Sequence, residues 1–345
     1  MKTEFPHDKS KLIEFINTRY NINATNLIFI PKGEVGYCYI VNCNNDQKFF
    51  LKIFGGSRLA NINTQNINFA LNVAEILHDK KDIKNISYPV RTIDNYLVSK
   101  FNNTKVVLYN FIEGENFDNK NLTEDIVVQL AELLATLHKK TKGLKTSDAV
   151  YENFNIDFKD DLLKSIHFLK DKDKLDTHYK KQLAQLILPF KNKIMKALSK
   201  LEDLSKDLNK DVNKNNFVLV HRDPVGANLI IDKHGQINLI DWDDPILGPI
   251  EHDVWFYLEG HQSFLPAYKK INNVDIDIRI IEFNIYKRLL ADITDWVYRI
   301  SFEQQNDEQN QSDLTELKKD CLDNFDYLTT KEANKIKNIL KNKPD

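Results

Sequence analysis

The chain has 345 residues, of which 42% are hydrophobic and 28% charged, so it can bury a core large enough for one two-lobed unit or for two domains. Its 48 Lys and Arg nearly balance its 50 Asp and Glu, which argues against a nucleic-acid partner, because proteins that bind phosphate backbones usually carry a clear basic excess. The three cysteines form no CxxC pair and no apolar run approaches the ~18 residues of a membrane helix, so we expect a cytoplasmic protein without a membrane partner.

The first third of the chain is predicted to be rich in β-structure. β-Branched and aromatic runs separated by turn residues are typical of an antiparallel meander. Strands are predicted over residues 27–30, 37–43, 48–54, 96–101 and 105–111. Apolar residues at three- and four-residue steps predict helices over residues 11–20 and 62–77. Residues 1–112 are therefore expected to form a small β-rich lobe that ends in a hinge.

From Glu113 onward the pattern is mainly helical. An amphipathic helix is predicted over residues 123–140 and further helices over residues 158–208, followed by a polar linker at residues 209–216. Residues 217–249 read as a compact segment of short strands and turns, and helices continue to the end of the chain. The predicted fold class is α+β, with residues 113–345 as the larger, mainly helical lobe.

The most informative polar residues follow two predicted strands of the compact segment. His221, Arg222 and Asp223 come directly after an apolar run. Four residues intervene before Asn228, which precedes a second apolar run, and Asp241 follows the next strand. In a hairpin these strands bring the acids and the amide to one rim. The alternative is a hairpin with incidental acids at its turns, but three residue types at this spacing favour a functional cluster.

These residue types suit phosphoryl transfer, in which a protein chiefly positions the reactants and spreads charge over a loose transition state. Asn228 and Asp241 offer the hard oxygen ligands that Mg²⁺ prefers. Asp223 can accept a hydrogen bond from a substrate hydroxyl and orient it for attack. His221, which lies between apolar strands, is expected to tie the loop together by hydrogen bonds rather than to titrate.

Residues 221–228 and 240–242 resemble the catalytic segment of the aminoglycoside phosphotransferase and choline kinase superfamily, whose members are relatives of protein kinases. Residues 248–253 are similar to the continuation of that segment. Asp241-Trp242-Asp243 stands where protein kinases have Asp-Phe-Gly, and no Ala-Pro-Glu motif follows, so the resemblance is to the kinases of small molecules. It implies a protein-kinase-like two-lobed fold, a nucleoside triphosphate and Mg²⁺ as bound groups, and transfer of the γ-phosphate to a hydroxyl.

Lys52 is a charge in an otherwise apolar strand, and a buried ammonium needs an anionic partner. In the superfamily that partner is the nucleotide phosphates together with a carboxylate from the following helix. The expected glutamate falls near Asn68, which is not acidic, so Glu75 on the same helical face is the predicted substitute. A surface ion pair is the alternative for Glu75. Gly33 and Gly36 lie in the turn that is predicted to cover the phosphates.

Residues 108–114 resemble the hinge that joins the two lobes of these kinases. The resemblance implies that backbone groups of Asn110 and Ile112 pair with the adenine ring. The side chains of this segment carry little information of their own.

The acceptor is predicted to be a small cationic molecule with a hydroxyl group. Four acids of the helical lobe could supply the negative field that attracts an amino-sugar, namely Asp243, Asp244, Asp292 and Asp295. Solvated helix charges or caps are the alternative for each of them. Residues 286–306 resemble the distal helix of spectinomycin-phosphorylating members, which implies an aminoglycoside or aminocyclitol such as spectinomycin as acceptor and ATP or GTP as donor.

Two other functions stay open at this point. A metabolic kinase with the same machinery would act on choline, ethanolamine or methylthioribose, and choline would require an aromatic cage around its quaternary ammonium. A non-catalytic kinase-like protein would bind nucleotide without turnover, but intact Lys52, Asp223, Asn228 and Asp241 argue against it. The sequence carries no prediction of the oligomeric state.

Overall fold

The computed structural model of the protein describes residues 4–31, 36–55, 60–61, 64–117, 122–303 and 306–341. Antiparallel strands dominate the chain up to Asn110, and helices dominate it from Glu124 onward, so the predicted α+β class is confirmed. The strands are β1 Ala24–Ile30, β2 Gly36–Cys43, β3 Lys48–Phe54, β4 Pro89–Val90, β5 Ser99–Phe101, β6 Thr104–Asn110, β7 Gly114–Asn116, β8 Val218–Val220, β9 Leu229–Asp232, β10 Ile237–Leu239 and β11 Ile246–Gly248. The helices are α1 Lys9–Tyr20, α2 Ile67–Asp79, α3 Glu124–Thr141, α4 Lys159–Phe168, α5 His178–Ile187, α6 Lys191–Asp211, α7 Glu251–Leu258, α8 Phe264–Ile271, α9 Ile278–Phe302, α10 Asp307–Glu316 and α11 Ala333–Lys341.

The chain's contacts divide it into two compact units. The first comprises residues 1–151, 215–256 and 261–274, and the second comprises residues 152–214, 257–260 and 275–345. All the strands named above belong to the first unit, together with α1, α2, α3, α8 and most of α7. Each unit is assembled from separate stretches of chain, so this division does not test a single boundary along the sequence. The lobe boundary predicted between residues 112 and 113 stays a prediction.

The large sheet of the first unit has the strand order β1-β2-β3-β6-β4, with β5 also paired to β6. Side chains of a strand alternate between the two faces of a sheet. Leu51 and Ile53 of β3 therefore join a core with α1, whereas Phe54 of the same strand joins a second core with Ile67 and Leu71 of α2. Lys52 alternates with Leu51 and Ile53, so it points to the face that α2 covers.

The strands of the catalytic segment form two small antiparallel pairings in the same unit. β9 and β10 form a hairpin whose β9 strand also pairs with β7, and β8 pairs with β11. Ser87 donates its backbone N–H to the carbonyl of Leu239 at 3.1 Å, which joins the hairpin to the chain before β4. Buried α3 packs against α8 and β8. These contacts hold the polar residues that follow β8 and β10.

The second unit is helical, and its longest helix is α9. This helix packs against α4 and α6, and its buried face includes Phe283, Ile293 and Val297. A bidentate ion pair between Arg299 of α9 and Asp313 of α10 is also buried, with N–O distances of 2.7 and 2.8 Å. None of the helices described in the structure is long and apolar enough to cross a membrane.

Most predicted elements are present with shifted ends. The strand predicted over residues 48–54 is β3 exactly as expected, and the helix over residues 123–140 is α3, which begins after Thr123. The helix predicted from residue 62 begins at Ile67 as α2. The polar stretch predicted to be a linker from residue 209 is partly helical, because α6 continues to Asp211 with Leu208 buried against the core.

Candidate active site

The catalytic segment begins where β8 ends, and two of its residues have unusual backbone conformations. Arg222 has φ of 74° and Asp241 has φ of 65°, values that residues other than glycine seldom adopt. Such conformations persist only where the surrounding contacts hold them, and they cluster at functional sites. Both residues belong to the predicted catalytic cluster, where contacts with the surrounding chain hold these conformations.

A buried carboxylate holds the backbone of the segment. Asp253 of α7 is 0% exposed and accepts the backbone N–H groups of His221 at 2.9 Å and of Arg222 at 2.7 Å. Burial acts to raise the pKa of Asp253, but its hydrogen bond to His138 and the other donors outweigh that effect, so the pKa lies below its ordinary value. An ionised Asp253 therefore fixes the residues that immediately precede Asp223.

Asp253 is itself held by a buried chain of hydrogen bonds. Nε2 of His138 lies 3.0 Å from Asp253 Oδ2, Nδ1 of His138 lies 2.7 Å from the Tyr268 hydroxyl, and that hydroxyl accepts from Asn272 Nδ2 at 3.0 Å. One direction of donation satisfies every group, since Tyr268 donates to Nδ1 and Nε2–H donates to Asp253. This chain was not predicted from the sequence, although a histidine on the apolar face of the helix at residues 123–140 was a signal for it.

Asp223 and Asn228, which the sequence predicts to work together, are in contact. The Asn228 Nδ2 donates to Asp223 Oδ2 at 2.8 Å and to the Asp223 carbonyl at 3.0 Å. The amide thereby fixes the orientation of the Asp223 carboxylate. The Oδ1 of Asn228 is then the atom of this side chain that can ligate a cation.

His221 joins these residues to the strand end that carries Asp241. Its Nε2 lies 2.9 Å from the carbonyl of Ile240, and its Nδ1 accepts from the backbone N–H of Asp223 at 3.3 Å. The backbone N–H of Ile240 in turn donates to the carbonyl of Asn228 at 2.9 Å. His221 therefore has the loop-tying role expected of it, and Asp241 follows directly on the tied residue.

Lys52 reaches the same segment from the sheet. Its side chain is 8% exposed, and Nζ donates to Asp241 Oδ1 at 2.8 Å and to Asp243 Oδ2 at 2.5 Å. Burial acts to lower the pKa of Lys52, but the two carboxylates outweigh it and raise that pKa well above its ordinary value. Burial and the neighbouring charge of Asp241 raise the pKa of Asp243 to about 7. Lys52 holds the pKa of Asp241 below its ordinary value, against the opposing effect of partial desolvation.

The helix carboxylate predicted for Lys52 is not its partner in the structure. Glu75 instead accepts two hydrogen bonds from the guanidinium of Arg91, at 2.5 and 2.6 Å. The predicted pairing of Lys52 with Glu75 is therefore wrong. Glu75 forms an ion pair with Arg91, as the alternative held, but its side chain is only 25% exposed and so not fully at the surface. A planar guanidinium matches both oxygens of a carboxylate, so Arg91 holds Glu75 more effectively than a single ammonium would.

Three of the four glycine and hinge residues predicted to contact nucleotide lie in the described parts of the chain. Gly33 lies outside the described residues. At Gly36 an added Cβ would come within 2.7 Å of the carbonyl oxygen of Ile53, so close packing of β2 on β3 explains this glycine. Asn110 ends β6, where its backbone N–H donates to the Tyr88 carbonyl at 3.1 Å and its side-chain oxygen accepts from the Tyr88 N–H at 2.7 Å. Ile112 follows in irregular, partly exposed chain.

Among the acids predicted to attract the acceptor, Asp243, Asp244 and Asp292 accept hydrogen bonds from cationic side chains. Asp243 is bound to Lys52, as above, and Asp244 accepts a hydrogen bond from Arg222. Asp292 lies on α9 of the second unit, where Arg288 donates to it at 2.9 Å, and Asp295 lies on the same helix. Because each of these partners is a cation, the negative field of the acids is weaker than their number suggests.

The described residues contain no group of three or more His, Cys, Asp or Glu that could hold a metal ion. The donor set of Asn228 Oδ1 and Asp241 nevertheless fits Mg²⁺, because this ion is usually held by one or two carboxylate or amide oxygens and completes its shell with phosphate oxygens and water. The Asp241 side chain is 39% exposed, so it is accessible to such a ligand.

Solved structures share this fold over nearly the whole chain. The spectinomycin phosphotransferase APH(9)-Ia in complex with ADP and spectinomycin has a TM-score of 0.78 and 21% identity, over 96% of this chain and 99% of that one. The amicoumacin kinase hAmiN in complex with AMP-PNP, Ca²⁺ and Ami has a TM-score of 0.59 and 13% identity, over 91% and 94%. Choline kinase LicA from Streptococcus pneumoniae has a TM-score of 0.56 and 14% identity, over 90% and 97%. At these identities the likeness shows the fold alone.

A comparison with curated proteins gave no significant match. The model of a phosphotransferase enzyme family, APH, matches residues 29–271, which include the sheet with Lys52 and the whole catalytic segment. This match covers more than half of the chain, and the residues expected to carry the chemistry lie within it. The chain therefore belongs to the APH phosphotransferase family and is a small-molecule kinase that phosphorylates a hydroxyl group.

Proposed function

We propose that the protein is a cytoplasmic, Mg²⁺-dependent kinase that transfers the γ-phosphate of ATP or GTP to a hydroxyl of an aminoglycoside or aminocyclitol such as spectinomycin. The observation that carries the proposal is the joining of Asp223, Asn228 and Asp241 by one hydrogen-bond network, with Lys52 bound to the last of them. A base, a pair of oxygen ligands and a phosphate-binding cation are the groups that phosphoryl transfer requires.

In this mechanism Asp223 accepts the proton of the acceptor hydroxyl as its oxygen attacks the γ-phosphorus. The bond between the γ-phosphorus and the bridging oxygen breaks, and the nucleoside diphosphate leaves with the electron pair of that bond. Asn228 contributes by holding Asp223 at 2.8 Å, which limits the carboxylate to one orientation. Lys52 neutralises negative charge on the phosphates, and it lies at the centre of the sheet where its position is fixed.

A bound Mg²⁺ ion would be held by Asn228 Oδ1 and Asp241, and it would supply positive charge that stabilises the negative charge of the phosphate groups. The neighbour hAmiN is described with a nucleotide analogue and Ca²⁺, which supports a nucleotide and a divalent cation as bound groups. The choice of Mg²⁺ rests on the small number of protein ligands.

Two observations support an aminoglycoside or aminocyclitol as the acceptor. The solved structure with a TM-score of 0.78 holds spectinomycin and ADP, and it matches this chain over 96% of its length. The acids Asp292 and Asp295 share α9, where a cationic acceptor would be favoured by their charge. Asp243, Asp244 and Asp292 each accept a hydrogen bond from a cationic side chain, which offsets part of their charge.

The test is a coupled nucleotide-turnover assay with the purified protein, Mg²⁺-ATP or Mg²⁺-GTP, and a panel of spectinomycin, several aminoglycosides, choline, ethanolamine and methylthioribose. We expect turnover that requires one aminocyclitol or aminoglycoside. Turnover with choline, ethanolamine or methylthioribose alone would keep the mechanism and overturn the acceptor class. Binding of Mg²⁺-nucleotide without turnover of any acceptor would count against the catalytic proposal.

A further inference from the structure

Lys52 occupies a position where an ammonium cannot remain without partners. It lies on β3, between Cys38 of β2 and Val107 of β6 in the sheet register, and only 6% of the residue is exposed. Removing a charged group from water costs far more than one hydrogen bond restores, so buried charges are paired. The identity of that partner determines what positions Lys52.

The helix that covers this face of the sheet supplies no partner. The first turn of α2 contains no acidic residue, and Glu75 further along the helix is committed to Arg91 through two hydrogen bonds. Both carboxylates that do bind Lys52 come from the turn after β10, about 190 residues away along the chain.

The two carboxylates of that turn differ in exposure. The Asp241 side chain is 39% exposed, whereas that of Asp243 is 9% exposed. Trp242 stands between them, is 1% exposed and donates its indole N–H to the carbonyl of Leu239 at 3.2 Å, which fixes the turn. Asp241 is thus accessible to a bound cation, while Asp243 is enclosed with the ammonium.

We propose that Asp243 is the positioning residue for Lys52 and takes the place of the helix carboxylate. Lys52 then keeps a buried partner when Asp241, which also accepts from it at 2.8 Å, ligates the cation. The inference rests on the proposed function for the roles of Lys52 and Asp241. The position of Lys52 is then set by the catalytic segment itself. A displacement of α2 would therefore not regulate the enzyme through Lys52.

The first experiment measures nucleotide affinity by calorimetry and turnover by the coupled assay for Asp243→Asn, Asp243→Glu and Glu75→Gln, with Asp82→Asn as the matched control at a side chain that is 82% exposed. Removing the charge of Asp243 at nearly constant shape should weaken Mg²⁺-ATP affinity or turnover by ~10- to 100-fold, as for other residues that support a ligand-binding group. Asp243→Glu should recover part of the loss. Glu75→Gln and Asp82→Asn should stay within about twofold of the wild type. A large loss in Glu75→Gln with none in Asp243→Asn would overturn the proposal.

The second experiment tests the pairing without nucleotide or turnover. Lys52→Met leaves two neighbouring carboxylates without their cation, so it should lower the denaturant midpoint of unfolding. Adding Asp243→Asn to Lys52→Met should raise the midpoint again, whereas adding Glu75→Gln should not. The double variant lacks both charges, so the comparison holds even where Asp243→Asn alone folds poorly. Additive effects of Lys52→Met and Asp243→Asn would refute the pairing, and absence of turnover by the wild type would refute only the proposed function.

Discussion

Asp253 provides the sharpest test of how the catalytic segment is held, because one side chain bonds to two consecutive backbone N–H groups. The perturbation is Asp253→Asn, which keeps the size of the side chain but removes its charge and turns one acceptor oxygen into a donor. Asp253 is 0% exposed, so no water can replace a lost hydrogen bond without rearrangement. We expect the lost hydrogen bond to be the one donated by the backbone N–H of Arg222, the residue with φ of 74°.

The magnitude follows from the bonds that the asparagine could keep. Oδ2 of Asp253 accepts from both His138 and the His221 N–H. An asparagine would therefore best place its amide oxygen at the position of Oδ2. The amide nitrogen would then face the Arg222 N–H, now 2.7 Å from Oδ1. One charge-assisted hydrogen bond is worth about 1.5–3 kcal/mol, and a buried donor without an acceptor costs about 1–3 kcal/mol. The expected loss is therefore about 3–5 kcal/mol of unfolding free energy.

The assay is denaturant unfolding followed by fluorescence and circular dichroism, with turnover measured on the folded fraction. Asp82→Asn is again the matched control, since it makes the same chemical change at an exposed site. We expect turnover of Asp253→Asn to fall more than nucleotide affinity, because the bonds hold the residues before Asp223. A loss below about 1 kcal/mol together with unchanged turnover would refute the anchoring role of Asp253.

Three further outcomes are expected. Asp223→Ala should lower turnover by ~100- to 10,000-fold while calorimetry finds Mg²⁺-nucleotide affinity largely kept, and retained transfer would contradict its role as the base. Asp241→Ala should lose the Mg²⁺-dependent part of nucleotide affinity, and a Mg²⁺-dependent affinity equal to that of the wild type would exclude a ligand role. Burial and the charge of Glu259 raise the pKa of Glu332 to about 7 from 4.5, so the folded state holds this proton more tightly and stability falls as pH rises from 4.5 to 7. Glu332→Gln should remove that decline and be more stable than the wild type at pH 8 by about 2 kcal/mol, with equal stability below pH 4.5; parallel pH profiles of unfolding would disprove this.

Elements and contacts that depend on neighbouring residues could be predicted from the sequence. The strand over residues 48–54 is rich in aromatic and aliphatic residues and follows a turn, and β3 has those bounds. Asp223 and Asn228 are five residues apart in one loop, so their contact follows from the local chain geometry once the flanking strands are recognised. The fold class and the family were predictable for the same reason, since both rest on short segments in a fixed order.

Contacts between groups far apart in the chain could not be predicted in this way and are known from the folded structure. Periodicity places Glu75 on a helix face but carries no information about Arg91, which holds it, or about Asp243, which binds Lys52 instead. The contact between His138 and Asp253 likewise joins residues separated by more than a hundred positions. A charge pairs with the partner that packing brings within reach in a dry environment, and such packing depends on the whole fold rather than on local sequence.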